Sequence, residues 1–273
     1  MIKSAGRRAV AVTMAAAVCT ALFSTGTAEA IVKGGDSSQR YSFMASIPET
    51  VSQTGDRGVC GASLIDPQWV LTAGHCVDAN LVTPDGTVRI GSERQHSGGT
   101  VRRIAQVITH PGYALQSETI PFNRNDVALI KLDRPVAESP IRLASRPGVP
   151  GTPTRLLGFG TTVDTNDAAK AKFPERLQEL DVRRGAESEC APGYAGRTRL
   201  CTVSPRPEAM ACIGDSGGPQ IRRGAGGRWE LIGVTSGPGT ARSACAGGPG
   251  LYSSVPAYAD WIRRTIWANR GGN

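Results

Sequence analysis

The chain has 273 residues, of which 40% are hydrophobic and 20% charged, and its formal net charge is +8. Its arginines are scattered through residues 176 to 264 without a dense cluster or interleaved aromatic residues. This pattern favours a solvated surface and argues against nucleic acid as a partner. Even if an N-terminal leader peptide is removed, the chain is long enough for one large or two modest β-rich domains.

Residues 1–30 have the organisation of a secretory signal peptide. Three basic residues precede an apolar run from Ala9 to Phe23, and Ala28-Glu29-Ala30 supplies a small-x-small cleavage site. A membrane helix is the alternative, but the run is too short and too rich in alanine to span a bilayer. We therefore expect a secreted, extracellular protein whose mature chain begins at Ile31 and has no membrane contact.

Signal cleavage would also change the cysteine count. It removes Cys19 and leaves six of the seven cysteines. An even number in an exported chain predicts three disulfides rather than metal ligation, and no pair has the Cys-x-x-Cys spacing of a zinc site. Spacing alone leaves the pairing open among Cys60, Cys76, Cys190, Cys201, Cys212 and Cys245.

Short apolar runs between glycine and proline turns predict a mostly β protein, because long helical periodicity is nearly absent. Their spacing suits antiparallel barrels or a sandwich. In chain order the predicted strands are Tyr41 to Ile47, Cys60 to Ile65, Trp69 to Thr72, Val88 to Gly91, Ile104 to Thr109, Asp126 to Leu132, Thr154 to Phe159, Gln178 to Val182, Arg199 to Val203, Pro219 to Ile221, Trp229 to Thr235 and Gly250 to Ser254.

Two segments interrupt the β pattern. Ser139 to Pro153 contains four prolines and two glycines, which predicts a linker between an N-terminal domain at 31–147 and a C-terminal domain at 148–256. Ala257 to Ala268 places Trp261, Ile262 and Ile266 toward one helical face, so an amphipathic helix is predicted within 257–270.

The segment from Cys212 to Pro219 has the composition of a nucleophile loop. Ser216 lies between an aspartate and paired glycines, which leaves its hydroxyl and the neighbouring backbone amides unobstructed. An ordinary glycine-rich turn is the alternative. The sequence of this segment is Cys212-Ile213-Gly214-Asp215-Ser216-Gly217-Gly218-Pro219.

A serine nucleophile needs a base, and the chain has only three histidines. His96 and His110 lie in polar or proline-flanked contexts, so His75 is the candidate, with a structural histidine as the alternative. Asp126 begins an unbroken apolar run, so its carboxylate is expected near the core and in need of a partner. An exposed loop acid is the alternative for Asp126.

Over nearly the whole mature length the chain resembles the chymotrypsin-like (trypsin-fold) secreted serine proteases. The His, Asp and Ser segments occur in the chain order of this family, whereas unrelated proteases with the same chemistry use other orders. The resemblance implies two antiparallel six-stranded β-barrels with a C-terminal α-helix, in a bacterial-type member. It is carried by Ile31-Val32-Lys33-Gly34-Gly35, Leu71-Thr72-Ala73-Gly74-His75-Cys76, Asn125-Asp126-Val127-Ala128-Leu129-Ile130-Lys131-Leu132, Gly214-Asp215-Ser216-Gly217-Gly218-Pro219 and Pro249-Gly250-Leu251-Tyr252.

The resemblance also implies roles for single residues. Ser216 would be the nucleophile, His75 its base and Asp126 the partner of the second ring nitrogen. The amides of Gly214 and Ser216 would bind the oxyanion, and Ser236 would help to hold Asp126. The implied disulfides are Cys60 to Cys76, Cys190 to Cys201 and Cys212 to Cys245.

In this family the amine of the new N-terminus pairs with the acid that precedes the nucleophile, which here means Ile31 and Asp215. Ile31 follows directly on the signal sequence. We therefore hypothesise that signal peptidase itself frees this amine and that no inactive precursor persists outside the cell.

The substrate pocket departs from the tryptic branch of the family. The position six residues before the nucleophile is Met210, followed by Ala211, where tryptic members have an aspartate for basic side chains. With Gly237 and Gly250 as the expected walls, an apolar P1 residue such as Leu, Met or Phe is predicted. Pro238 lacks the backbone N–H that would pair with an extended peptide, so weak recognition upstream of P1 is expected.

The sequence therefore predicts a secreted serine endopeptidase that acts on protein or peptide substrates through an acyl-enzyme. We expect a monomer without cofactors, which protein inhibitors could bind. Gly91 to Gly99 contains only one acid, Glu93, so no calcium site is expected. The alternatives are a protease-like binding module that has lost catalysis and an esterase with the same triad.

Overall fold

The structure is a computed structural model that describes residues 1–2, 31–165, 167–241 and 245–270. Apart from residues 1–2, the predicted signal sequence lies outside the described residues. Within these described ranges, fifteen strands and one α-helix occur in chain order. They are β1 (Gly35–Asp36), β2 (Met44–Val51), β3 (Arg57–Asp66), β4 (Trp69–Thr72), β5 (Val82–Pro84), β6 (Thr87–Ile90), β7 (Thr100–Thr109), β8 (Ala128–Leu132), β9 (Arg142–Leu143), β10 (Pro153–Gly158), β11 (Gln178–Arg184), β12 (Arg199–Val203), β13 (Pro219–Arg223), β14 (Trp229–Pro238), β15 (Gly250–Ser254) and α1 (Val255–Ala268).

The first barrel is an antiparallel sheet that closes on itself. Its strands follow the order β3-β4-β8-β7-β6-β2, and β2 pairs again with β3. The short strand β5 adds to β2 outside this ring. All four residues of β4 are buried, as are Met44 to Ile47 of β2, because these strands line the barrel interior and its junction with the second barrel.

The second barrel has the strand order β11-β10-β13-β14-β15-β12 and closes through β11 and β12. Two short strands are attached to it: β1 pairs with β11, and β9 pairs in parallel with β14. The predicted fold class is thus confirmed. The twelve predicted strands all have counterparts, whereas β1, β5 and β9 were not predicted, and β9 lies inside the segment predicted as a linker.

The helix α1 packs on the barrels through one face. It begins two residues before the predicted start, since Pro256 is compatible with the first turn of a helix. Val255, Tyr258, Ile262 and Ile266 are buried, whereas Trp267 is 76% exposed. Nowhere in the described residues is a helix long and apolar enough to cross a bilayer.

Candidate active site

The two barrels meet where β3 passes the nucleophile loop. The backbone N–H of Gly61 donates to the carbonyl oxygen of Ser216 over 2.7 Å. A side chain at Gly61 would lie 2.6 Å from the Cα of Gly218, so the close approach requires glycine. Because Cys60 forms a disulfide with Cys76, the same contact brings Ser216 to the segment that carries His75.

Asp126 and His75 form a buried hydrogen-bonded pair. His75 Nδ1 lies 2.8 Å from Asp126 Oδ2, and the backbone N–H of His75 donates to Asp126 Oδ1 over 2.9 Å. Ser236 Oγ donates to Asp126 Oδ2 over 2.6 Å. The side chain of Asp126 is fully buried and that of His75 is 15% exposed. With Nδ1 directed at Asp126, the ring of His75 has Nε2 available for proton transfer.

Charge and burial set the protonation of this pair. Burial acts to lower the pKa of His75, but the charge and hydrogen bond of Asp126 outweigh it, and Glu49 and Asp78 add to the net rise. Burial acts to raise the pKa of Asp126, but His75 and Ser236 outweigh it and the net pKa is lowered. Asp126 therefore stays ionised while His75 is held as a stronger base than a free imidazole.

The nucleophile loop presents two backbone amides without partners. The N–H groups of Asp215, Gly217 and Gly218 each donate to a carbonyl oxygen. Across the described part of the chain, the amides of Gly214 and Ser216 donate to no protein group. Gly214 has φ of 90°, a conformation that glycine adopts without strain. Two free donors on one loop are the arrangement that an oxyanion requires.

The hydroxyl of Ser216 makes no hydrogen bond to His75 among the described residues. Such bonds in unliganded active sites are commonly long and tighten in the substrate complex. Ser216 instead lines a small cavity of about 180 Å³ beside the nucleophile loop.

That cavity contains the residues predicted to form the substrate pocket. Met210 lies in it with 1% exposure, and the hydroxyl of Tyr252 lies 3.8 Å from its sulfur. A side chain at Gly250 would lie 3.1 Å from the same sulfur, so a larger residue there would crowd the pocket. No acidic residue from the described part of the chain lines the cavity. The lining is Met210, Ala211, Cys212, Ile213, Ser216, Thr235, Gly237, Pro238, Cys245, Gly250 and Tyr252.

A second cavity, of about 350 Å³, borders His75. It brings together His75, Ser236 and apolar residues from the loop that precedes Asp126. Pro238 ends β14 at this cavity, where its register partner is Gly250 of β15. The loop contributes Leu115, Gln116, Pro121, Phe122 and Asn123.

Asp215 and Ile31 are both buried next to this loop. The carboxylate of Asp215 accepts hydrogen bonds from the backbone N–H groups of Gly160 and Cys212 over 2.9 and 3.0 Å. Burial nevertheless raises the pKa of Asp215 to about 7, against the lowering effect of those amides. Ile31 is 0% exposed, and the next residue, Val32, pairs with Met210. The first residues after the predicted cleavage site thus lie inside the second barrel.

Three disulfides frame the site. They join Cys60 to Cys76, Cys190 to Cys201 and Cys212 to Cys245. Both clusters of potential metal ligands in the described ranges contain one of these bridges, at Cys60 and Cys76 or at Cys212 and Cys245. Disulfide sulfurs are not thiolates, so neither cluster offers the donor set of a zinc site.

Two polar residues near the base were not singled out from the sequence. Asn123 Nδ2 lies 3.3 Å from Asp126 Oδ2. Glu49, 6% exposed, is close enough to affect the protonation of His75, and its Oε2 has no hydrogen-bond partner among the described residues. The sequence gives no signal of either position, because that of Asn123 depends on how its own loop folds and that of Glu49 on packing between distant segments. His110, by contrast, stacks against Tyr258 and Trp261, as a structural histidine does.

Comparison with known proteins identifies the family. The family model described as Trypsin matches residues 32–262. The chain belongs to the trypsin family. It is 35% identical over 231 residues to Trypsin II-P29 of Gallus gallus, which spans 82% of this chain and 86% of that protein. It is 33% identical over 235 residues to Serine protease 1 of Homo sapiens, with the same coverage.

A solved structure supports the same assignment. Mouse neuropsin, described as a serine protease expressed in the limbic system of the brain, superimposes with a TM-score of 0.69 at 27% identity, covering 86% of this chain and 100% of that one. This member of the trypsin family is therefore a serine endopeptidase with protein or peptide substrates. The relatives named here are vertebrate proteins, so the bacterial-type assignment is not confirmed and stays a prediction.

Proposed function

We propose that the protein is a secreted endopeptidase that cleaves after apolar residues by acyl transfer through Ser216. The observation that carries this proposal is the buried His75–Asp126 pair, 2.8 Å apart, together with the loop of Ser216, on which the backbone amides of Gly214 and Ser216 are unpaired among the described residues. This set contains a base, an orienting acid, a nucleophile and oxyanion donors in the chain order of the family.

The reaction follows from the directions of these groups. Ser216 Oγ attacks the peptide carbonyl carbon and gives its proton to Nε2 of His75, while Nδ1 keeps its hydrogen bond to Asp126. The carbonyl oxygen, now negative, accepts hydrogen bonds from the amides of Gly214 and Ser216. His75 then protonates the departing amine, which leaves an ester on Ser216. Water, deprotonated by His75, hydrolyses that ester and restores the hydroxyl.

The pocket supports an apolar P1 residue. Met210 lines the pocket at the position where tryptic members of the family have an aspartate, and Gly237 and Gly250 leave room along its walls. Burying an unpaired ammonium or guanidinium against a thioether is strongly unfavourable, whereas an aliphatic side chain gains from leaving water. A volume of about 180 Å³ suits Leu or Met.

Activation is proposed to follow directly from export. Cleavage after Ala30 would free the amine of Ile31, and a positive charge near the buried carboxylate of Asp215 would favour its ionised form. The burial of Ile31 and the raised pKa of Asp215, to about 7, support this pairing, since the carboxylate otherwise has only amide partners among the described residues.

An active-site label tests the catalytic proposal. The purified mature protein is treated with an organophosphonate that phosphonylates activated serines, alongside the Ser216→Ala variant. We expect one covalent adduct on the wild type and none on the variant, and a loss of peptide hydrolysis of at least about 10⁴-fold in the variant. A wild type that folds but takes no label would support the binding-module alternative. Rates on matched peptide amides and simple esters then distinguish a peptidase from an esterase.

Cleavage of a mixed peptide library tests the pocket. We expect the residue before the cleaved bond to be Leu, Met or Phe, and we expect little gain when the peptide is lengthened upstream, because Pro238 has no N–H to offer. Dominant cleavage after Arg or Lys would show that Met210 does not set the specificity. A large gain from upstream residues would contradict the expectation from Pro238.

N-terminal sequencing of the secreted protein tests the activation proposal. Active material should begin at Ile31 without prior treatment by another protease. Inactive secreted material that begins upstream of Ile31 would restore a precursor step.

A further inference from the structure

The carboxamide of Asn123 connects its own loop, residues 114–124, to the His75–Asp126 pair. Its Nδ2 is 3.3 Å from Asp126 Oδ2 and 3.4 Å from His75 Nδ1. The residue is half-buried and lines the 350 Å³ cavity in front of His75. Since it precedes Asp126 by only three residues, a small shift of this loop would move the contact directly.

The hydrogen bonds of the loop decide which way the carboxamide faces. Asn123 Oδ1 accepts the backbone N–H of Gln116 over 2.9 Å. The loop is tied at its base by two backbone hydrogen bonds between Ala114 and Arg124, of 3.0 and 2.8 Å. If the amide were flipped, its NH₂ would face the N–H of Gln116 and its oxygen would face the carboxylate of Asp126, and both contacts would be repulsive. The NH₂ group therefore faces Asp126.

Asn123 donates a hydrogen bond to Asp126, whereas it only lies close to His75. The Nδ1 hydrogen of His75 is already directed at Asp126, so this nitrogen has no lone pair for Asn123. Asp126 Oδ2 accordingly has three side-chain donors: His75 Nδ1, Ser236 Oγ and Asn123 Nδ2. The backbone N–H of His75 occupies Oδ1.

We propose that Asn123 is a positioning residue, which holds the Asp126 carboxylate against His75 and links the loop of residues 114–124 to the catalytic pair. The proposal rests on the proposed function of the pair. Three donors on one oxygen restrict rotation of the carboxylate, so Oδ2 stays directed at the imidazole. Each added donor also draws negative charge from Oδ2, which weakens its stabilisation of the protonated imidazole. Asn123 thereby keeps more His75 in the neutral form that accepts the proton of Ser216.

Two substitutions separate the loss of the hydrogen-bond donor from the introduction of an acceptor at the same place. Asn123→Leu keeps the approximate volume and removes the donor. Asn123→Asp is isosteric and retains an oxygen for the N–H of Gln116, but it places an acceptor opposite Asp126. Thr119→Asp is the matched control, since it adds the same charge on the exposed side of the same loop, away from the cavity. Glu49 and Asp78, the other acids that raise the pKa of His75, are unchanged in all three.

The first measurement is the pH dependence of peptide hydrolysis, with a short substrate. For Asn123→Leu we expect kcat to fall about threefold to tenfold, and the midpoint of the acid limb of kcat/KM to rise by about half a pH unit. Asn123→Asp should raise the midpoint further, and Thr119→Asp should leave it near the wild-type value. A change in KM alone, with kcat and the midpoint unaltered in both Asn123 variants, would mean that Asn123 is only a cavity wall and would overturn the proposal.

The second measurement does not need catalysis. In a Ser216→Ala background, the imidazole of His75 is titrated by NMR with and without the Asn123 substitutions. We expect the pKa of His75 to rise in both variants, and most in Asn123→Asp. If Asn123→Leu does not fold, the isosteric Asn123→Asp still provides the test. An unchanged pKa in folded Asn123→Asp overturns the positioning role. If the enzyme proved inactive but the titration shifted as expected, the proposed function would fail while the role of Asn123 stood.

Discussion

Replacing Glu49 with glutamine should stabilise the folded protein at alkaline pH and change its stability little at acid pH. Glu49 lies on β2 opposite Gly58 of β3 and Pro84 of β5, and 6% of its surface is exposed. Burial raises its pKa from 4.5 to about 7; the charge of His75 opposes this rise and that of Asp85 adds to it. The folded state therefore holds a proton that the unfolded chain releases at lower pH.

The magnitude follows from this difference in pKa. The pKa of Glu49 rises from 4.5 to about 7, and at about 1.4 kcal/mol per pKa unit this difference corresponds to about 3 to 4 kcal/mol. Because the folded pKa is raised, the stability is fully present below the unfolded value and is lost as the pH rises through the folded value. The free energy of unfolding should fall between about pH 4.5 and 7 in the wild type and stay higher in Glu49→Gln above that range.

Equilibrium unfolding in guanidinium chloride at several pH values measures this difference. Both proteins carry Ser216→Ala to prevent self-digestion, and their disulfides stay oxidised. Glu93→Gln is the matched control because it makes the same substitution at an exposed position of the same barrel. If the gap between Glu49→Gln and the parent stayed constant from about pH 5 to 8, the carboxylate would be solvated or paired, and the reasoning would be refuted.

Three further expectations concern the catalytic pair and its supports. The raised pKa of His75 should place the acid limb of kcat/KM above the value of a free imidazole, and a midpoint at or below about 6.5 would contradict this. Ser236→Ala removes the 2.6 Å donor to the carboxylate of Asp126 and should lower kcat about tenfold in steady-state assays, whereas an unchanged kcat would show that the bond is dispensable. Gly160→Ala places a methyl group 2.3 Å from Cγ of Asp215, so activity should be lost and thermal stability should fall by about 2 kcal/mol or more. Gly196→Ala, with open space around it, should change neither property.

Sequence patterns predicted the larger elements because each contains several alternating or consecutive apolar residues. β4, β12 and β15 were predicted with their observed bounds. The strands β1, β5 and β9 contain only two or three residues, which is too short for any period to show. Their pairing depends on barrels that are already formed.

The site divides in the same way. His75, Asp126 and Ser216 stand in motifs that a single chain segment displays, so they could be proposed from the sequence. Asn123 and Glu49 could not. Asn123 reaches Asp126 through the particular fold of its own loop, and Glu49 comes near His75 only when separate segments pack together. The sequence does not show that the backbone N–H of Gln116 orients Asn123. Nor does it show that β3 and β5 flank Glu49 on β2.

The closure of both barrels bears on how this enzyme survives its own activity. A protease of this kind takes its substrate as an extended strand, and it must therefore spare the many extended strands of other copies of itself. Ring closure pairs both edges of the main strands, so their backbones are already engaged and cannot enter another active site. Self-cleavage should then begin in connecting loops such as the one that carries Val163, whose exposed apolar side chain lies outside the barrel strands. The lifetime of the enzyme would be set by the sequence of such loops more than by the stability of its core.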